Sequence, residues 1–221
     1  MGDASDTTAV VDKPVSARQR AYAFVLDGII RGDYRGGDFL EEERVSVAAG
    51  VSRTPVREAF SRLESEHFIE LVPRRGARVR AVTAKDMLEL YEARRLIEGF
   101  AATRICEAGW GAPPEMVAAA QQMRALGDRD PRTHVELDRA YHRALVAGSR
   151  NQVLVDVCDG LRARQQHVAY AALRADPSRL ATIVDEHEQM VAALDAADAA
   201  AVTALLNVHL QPIPHVLATL P

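Results

Sequence analysis

The chain has 221 residues, is 48% apolar but only 5% aromatic, and carries a formal net charge of -4. That length supports one large domain or two modest ones, each with its own core, and abundant alanine with few aromatics favours packed helices over a β-sandwich. No run of about 18 apolar residues occurs, which excludes a membrane-spanning helix, and Cys106 and Cys158, without C-x-x-C spacing, read as buried reduced thiols.

Residues 1–13, "MGDASDTTAVVDK", are acidic and polar and have no hydrophobic core. They read as a disordered tail of a cytoplasmic protein rather than as a signal or transit peptide. "SARQRAYAFVLDGIIRGDY" predicts a first helix, with Tyr22, Val25, Leu26, Ile29 and Ile30 at helical spacing and "RGDYRGGD" ending it. "LEEERVSVAA" predicts a short second helix closed by Gly50. "GVSRTPVREAFSRLESE" predicts a third, because Val56, Ala59, Phe60 and Leu63 fall at i, i+3, i+4 and i+7. Gly50 to Thr54 is then the tight turn of a helix-turn-helix. "FIELVPRRGARVRAV" predicts strand, turn and strand around Pro73 to Gly76. Three helices followed by a basic hairpin describe a winged helix-turn-helix over residues 14–80. This is also the basic part of the chain: residues 13–80 carry 13 Lys and Arg against 10 Asp and Glu, whereas residues 81–221 carry 14 against 18.

From Thr83 onward the pattern changes to long amphipathic helices. "TAKD" has the form of an N-terminal capping box for a helix running to about Glu107. Breaks at "GWGAPP", "LGDRDPRT", "AGSRN" and "RADPSR" each lead into another helical segment, Asp176-Pro177 gives a cap and first turn for one of them, and Asp198 caps the last. These breaks predict an all-α bundle of about six helices over residues 84–218, so the chain as a whole is mainly α.

The second helix of a helix-turn-helix enters the major groove, where residues near its N-terminus meet bases and phosphates. Ser52 or Thr54 can cap that helix, Pro55 suits its first turn, and Arg53 and Arg57 are long enough to reach base edges. The hairpin adds Arg74 and Arg75 beside Gly76, where a wing would meet the minor groove or the backbone. With "LEEERVS" before it and "LVPRRGARV" after it, the stretch resembles the DNA-binding domain of GntR-family bacterial transcription regulators. The resemblance implies operator contacts from Ser52, Arg53, Thr54 and Arg57 and further ones from the wing. Glu43 departs from the pattern, since several relatives place a DNA-contacting arginine there.

In the bundle, Met87, Leu90, Ile97 and Ala101 mark an inward stripe with Arg94 in its middle. A buried arginine needs an anionic partner. Glu98, one turn on, is one candidate, and a ligand carboxylate gripped in bidentate fashion is the other. Asp138 and His142 share a helical face, His187 sits among Ile183, Val184 and Val191, and His209 follows Val202, Leu205 and Leu206. Three inward histidines with a carboxylate can surround a divalent metal in a bundle core. His134 is a possible outer neighbour, and His67, His167 and His215 read as structural or surface residues.

"YEARRLIEG", "DRAYH", "DEHEQMVAAL" and "LLNVHL" resemble motifs of the FCD domain of the FadR subfamily of GntR regulators. That resemblance implies Asp138, His142, His187 and His209 as metal ligands, Arg94 as the contact to a small organic acid, and no fatty acyl-CoA effector. Zinc, nickel and manganese all tolerate this donor set. Pro212 should end or kink the last helix just beyond His209. Together these features describe a homodimeric repressor that binds double-stranded DNA at an inverted repeat and responds to a small carboxylate at a metal site. The rivals are a metal-dependent hydrolase, which would lack an evident catalytic base, and a regulator whose metal is purely structural.

Overall fold

The structure, a computed structural model, describes residues 15–221. The tail expected over residues 1–13 lies outside the described residues. Helix α1 (Ala17–Arg31) starts at Ser16, whose hydroxyl accepts from the Gln19 amide, and stops at Gly32 in the left-handed conformation. Helices α2 (Glu42–Ala49) and α3 (Arg53–Ser65) follow, and Val56, Ala59, Phe60 and Leu63 are the buried face of α3, as their spacing predicts. They pack with Ala21, Val25, Ile29, Phe68 and Ile69 into one core.

The wing consists of β2 (Ile69–Val72) and β3 (Gly76–Val79), paired antiparallel with Ile69 opposite Val79 and Val72 opposite Gly76. A two-residue strand β1 (Phe39–Leu40), not foreseen from the sequence, adds to the other side of β3 to give the order β1-β3-β2. Two residues are too few for any alternation to register. The tight pairing explains Gly76: its φ is +93°, and a Cβ there would lie 2.2 Å from the Leu40 carbonyl oxygen.

The remaining helices are α4 (Ala84–Ala108), α5 (Pro114–Leu126), α6 (Pro131–Gly148), α7 (Gln152–Gly160), α8 (Arg162–Ala175), α9 (Arg179–Asp195), α10 (Ala199–His209) and α11 (Pro214–Leu217). The reciprocal Thr83–Asp86 capping box starts α4, and Asp198 caps α10 through the Ala201 amide. The count exceeds the six expected for two reasons. Leu161 separates α7 from α8 although its own backbone keeps helical hydrogen bonds on both sides, so no proline or turn cluster marks the break. The short α11 restarts after Pro212. Helix α9 also begins later than Asp176-Pro177 suggests: Asp176 instead accepts from the Ser178 amide and hydroxyl, and Arg179 opens the helix. Ala102, Ile105, Met116, Met123, Tyr141, Leu145, Met190, Leu194 and Leu206 form the main bundle core, and all are essentially inaccessible to solvent. Arg132 pairs with Asp27 at 2.6 Å and Arg174 donates to the Ile29 carbonyl at the end of α1, tying the bundle to the first helix. No helix among the described residues is long and apolar enough to cross a membrane.

Candidate metal centre and nucleic-acid interface

Three helices converge on one point in the bundle. Helix α6 brings Asp138 and His142 on one face, α9 brings His187, and α10 brings His209 as its last residue before the chain turns at Leu210. The Nε2 atoms of His142, His187 and His209 lie 3.0, 3.2 and 3.4 Å from one another. Asp138 Oδ1 is 3.6 Å from the His142 Nε2 and 3.5 Å from that of His187. One ligand atom from each of the four falls within 4.8 Å of the others. The helix end caused by Pro212 falls beyond His209 and leaves it facing the same point.

Outer carboxylates fix which ring nitrogens face inward. Glu98 on α4 accepts from His142 Nδ1 at 2.7 Å, and Glu186 on α9 accepts from His209 Nδ1 at 2.7 Å. An ionised carboxylate can only accept, so each Nδ1 carries a hydrogen, and in the uncharged ring each Nε2 then turns a lone pair toward the centre. Tyr141 stacks on the His187 ring at 3.8 Å and donates its hydroxyl to the His187 carbonyl, which holds the third imidazole. The donor set fits a divalent cation. Ligand atoms about 2.1 Å from one ion at tetrahedral to octahedral angles sit about 3.0 to 3.4 Å apart, and the three inward imidazole nitrogens have that spacing.

The electrostatics agree. Burial opposes ionisation of Asp138, but His142, His187 and Arg94 overcome it and hold the carboxyl well below its usual range. Burial likewise works against Glu98, yet Arg94 and His142 bring it down to about 2. Burial, reinforced by His209, pushes His187 well below the ordinary imidazole value, and burial lowers His209 as well. Those two rings are therefore uncharged at neutral pH, the form a metal requires. At His142, by contrast, burial is outweighed by Glu98 and Asp138, which raise its pKa, so that a metal there would have to displace a proton.

Beside this centre lies a cavity offering about 80 Å³ to the centres of water-sized molecules, lined on its polar side by Arg94, His134, Asp138, Gln165 and His209 and on its apolar side by Met87, Leu180 and Ile183. Arg94, only 7% exposed, takes the Glu98 partner that its position in the sequence raised and keeps one nitrogen free of it. Its Nε donates to Glu98 at 2.7 Å, while its Nη2 has no partner and is buried. His134 is 2% exposed, and neither ring nitrogen makes a hydrogen bond, although the Gly127 backbone and Asp138 partly offset the lowering of its pKa by burial. An unsatisfied buried polar group costs about 1 to 3 kcal/mol, and both groups carry that cost. The other histidines lie apart: His67 contacts Arg80, His167 packs on Phe68, and His215 contacts Asp176.

Sequence reasoning missed Glu186 and Arg179, which forks onto Glu186 at 2.8 and 2.9 Å. Glu186 directly precedes His187, but its partner His209 is supplied by α10, and only the packed helices reveal that pair.

The DNA-facing candidates are all on the N-terminal unit. Ser52 stands at the N-cap of α3 without a side-chain capping bond, so its hydroxyl is free and the first-turn amides are open. Arg53 pairs with Glu43 at 2.9 Å and Arg57 with Glu42 at 2.7 Å, all on the exposed side of α2 and α3. In the wing, Arg74 is exposed with φ +64°, and Arg75 lies over the Phe39 ring at 4.3 Å.

The FCD domain model matches residues 89–212, more than half of the chain, and the model for bacterial regulatory proteins of the gntR family matches residues 17–79. The chain is 26% identical over 205 residues to the HTH-type transcriptional repressor GlaR of Escherichia coli K12, covering 87% of this chain and 92% of that one. It is 27% identical over 206 residues to the repressor RspR of the same organism, covering 88% and 86%. Two solved structures share the fold: one described as a GntR transcriptional regulator of Rhodococcus sp. RHA1 (TM-score 0.68, 24% identity, 87% of this chain and 93% of that one) and McbR/YncC of E. coli (TM-score 0.63, 21%, 90% and 95%).

Proposed function

We propose a function from one premise: the chain belongs to the FCD-domain branch of the gntR family of bacterial regulatory proteins. These proteins are DNA-binding transcription regulators, not enzymes, which sets the hydrolase alternative aside. Our reading is a repressor in which residues 14–80 bind an operator and residues 84–218 bind the effector and dimerise. Asp138, His142, His187 and His209 would hold a divalent metal, zinc, nickel or manganese, which supplies a Lewis-acidic anchor for an anion. Arg94 would meet the carboxylate of a small organic acid. The observation that carries this reading is the convergence of three Nε2 atoms within 3.4 Å beside a cavity into which an unpaired, buried Arg94 nitrogen projects. The cavity suits a molecule of a few heavy atoms rather than an acyl-CoA. The names of the repressor relatives support repression. Leu96 and Phe100, one turn apart on α4, and Val153 and Val157, one turn apart on α7, are exposed apolar residues that support a homodimer.

Operator binding would use Ser52, Arg53, Thr54 and Arg57 in the major groove and Arg74, Arg75 and Gly76 at the wing. Because Glu42 and Glu43 hold Arg57 and Arg53 in the free protein, DNA must displace exposed pairs that are individually weak. Arg57→Ala is expected to cost about 1 to 3 kcal/mol on an inverted-repeat operator if it pairs with a base. Glu43→Gln should tighten binding to operator and random DNA alike, since it releases Arg53 and removes a negative charge near phosphate. Fluorescence anisotropy across a salt series measures both. Equal affinities for the wild type and both variants would contradict the assigned interface.

A further inference from the structure

We propose that His134 reads the far end of the effector, so that the cavity selects a short acid bearing a second oxygen function, a hydroxyl or a second carboxylate. This rests on the reading of the cavity as a carboxylate site. His134 is almost wholly buried and lines the same cavity as Arg94 and Asp138, and neither ring nitrogen makes a hydrogen bond of good geometry, the Gly127 backbone being a close polar neighbour. Neither the metal donor set nor its outer carboxylates use it. Buried polar groups without partners are rare enough that each needs an explanation, and a ligand group in the cavity explains this one. The placement also gives the ligand a length. His134 and Asp138 are four residues apart on α6, a separation of about 6 Å along the helix axis. With one carboxylate beside Asp138 and Arg94, three carbon–carbon bonds of about 1.5 Å each and a terminal hydrogen bond reach His134. An uncharged imidazole offers one N–H and one acceptor, so it can both donate to and accept from a hydroxyl, or donate to a carboxylate. Met87, Leu180 and Ile183 supply apolar lining suited to the methylenes between.

The test uses butyrate, 4-hydroxybutyrate and succinate, three acids of equal chain length that differ at the far end, titrated calorimetrically into zinc-loaded full-length protein. The wild type is expected to bind at least one of the two oxygen-bearing acids about tenfold more tightly than butyrate. His134→Leu should abolish that preference while leaving butyrate affinity and thermal stability near the wild-type values. His134→Phe, closer in shape, serves the same purpose should leucine leave a gap that lowers the melting temperature. A preference that survives in these variants, or a wild type that binds all three acids equally, overturns the role of His134 and leaves the carboxylate site standing. No binding of any of the three acids to wild type or variants overturns the carboxylate site itself, and this proposal with it.

Discussion

The double variant His142→Ala, His187→Ala is expected to contain no stoichiometric metal and to melt at a temperature that a chelator no longer changes. In the wild type, an ion bound only by the folded chain at a free concentration about 1,000 times its Kd contributes about 4 kcal/mol. For a chain of this size that is about 8 to 16 °C in melting temperature. The two rings are the right ones to remove, because both present an Nε2 to the centre, 3.2 Å apart, and both are inaccessible to solvent. Chelation should therefore lower the wild-type melting temperature and leave the double variant unmoved. Metal analysis of protein purified without an affinity tag accompanies the melting curves. Full metal content in the double variant would refute the donor set.

Glu98→Ala should be the most damaging single substitution in the bundle. Glu98 is 1% exposed and accepts from both Arg94 Nε and His142 Nδ1. Removing it leaves a buried guanidinium without its counter-charge, which costs about 3 to 5 kcal/mol. It also frees the His142 ring to adopt the other tautomer, and losses of an outer carboxylate of this kind weaken metal affinity about 10- to 100-fold. Glu98→Gln, which keeps the shape and one acceptor, should lie between. The pH dependence has the same origin. Because the Glu98 carboxyl is depressed to about 2, the stability it contributes is complete above the unfolded value of about 4.3 and is lost as the pH falls from there toward 2. In chelator-treated protein, Glu98→Gln should flatten that acid limb of the unfolding curve. A Glu98→Ala protein with wild-type melting temperature and metal affinity would remove Glu98 from the account.

Local patterns carried much of this structure. The i, i+3, i+4, i+7 spacing of Val56, Ala59, Phe60 and Leu63 identifies the buried face of α3, and Pro212 marks the end of α10. His187 and His209 were legible as inward-facing from their apolar stripes and Asp138 and His142 from the helical face they share, and the bundle brings the four together. What stayed hidden depends on packing between elements. Strand β1 exists only because β3 offers it an edge, and the boundary at Leu161 keeps helical hydrogen bonds on both sides. The link from Glu186 to His209 joins two helices whose register no single stretch encodes. Arg94 shows a third kind of limit. Its spacing admitted two partners, and the structure gives Nε to Glu98 while leaving Nη2 unpaired.

The central claim is that occupancy of the bundle site changes operator affinity, and reciprocity requires any such effect to run both ways. The most direct measurement is the operator affinity of zinc-loaded full-length protein, by anisotropy on DNA from upstream of its own gene, with and without saturating succinate or 4-hydroxybutyrate. The account predicts an affinity change of about 5- to 150-fold, corresponding to a coupling of about 1 to 3 kcal/mol. It predicts that the change disappears on chelation and in Arg94→Ala. An operator affinity indifferent to acid and to chelator alike would contradict it.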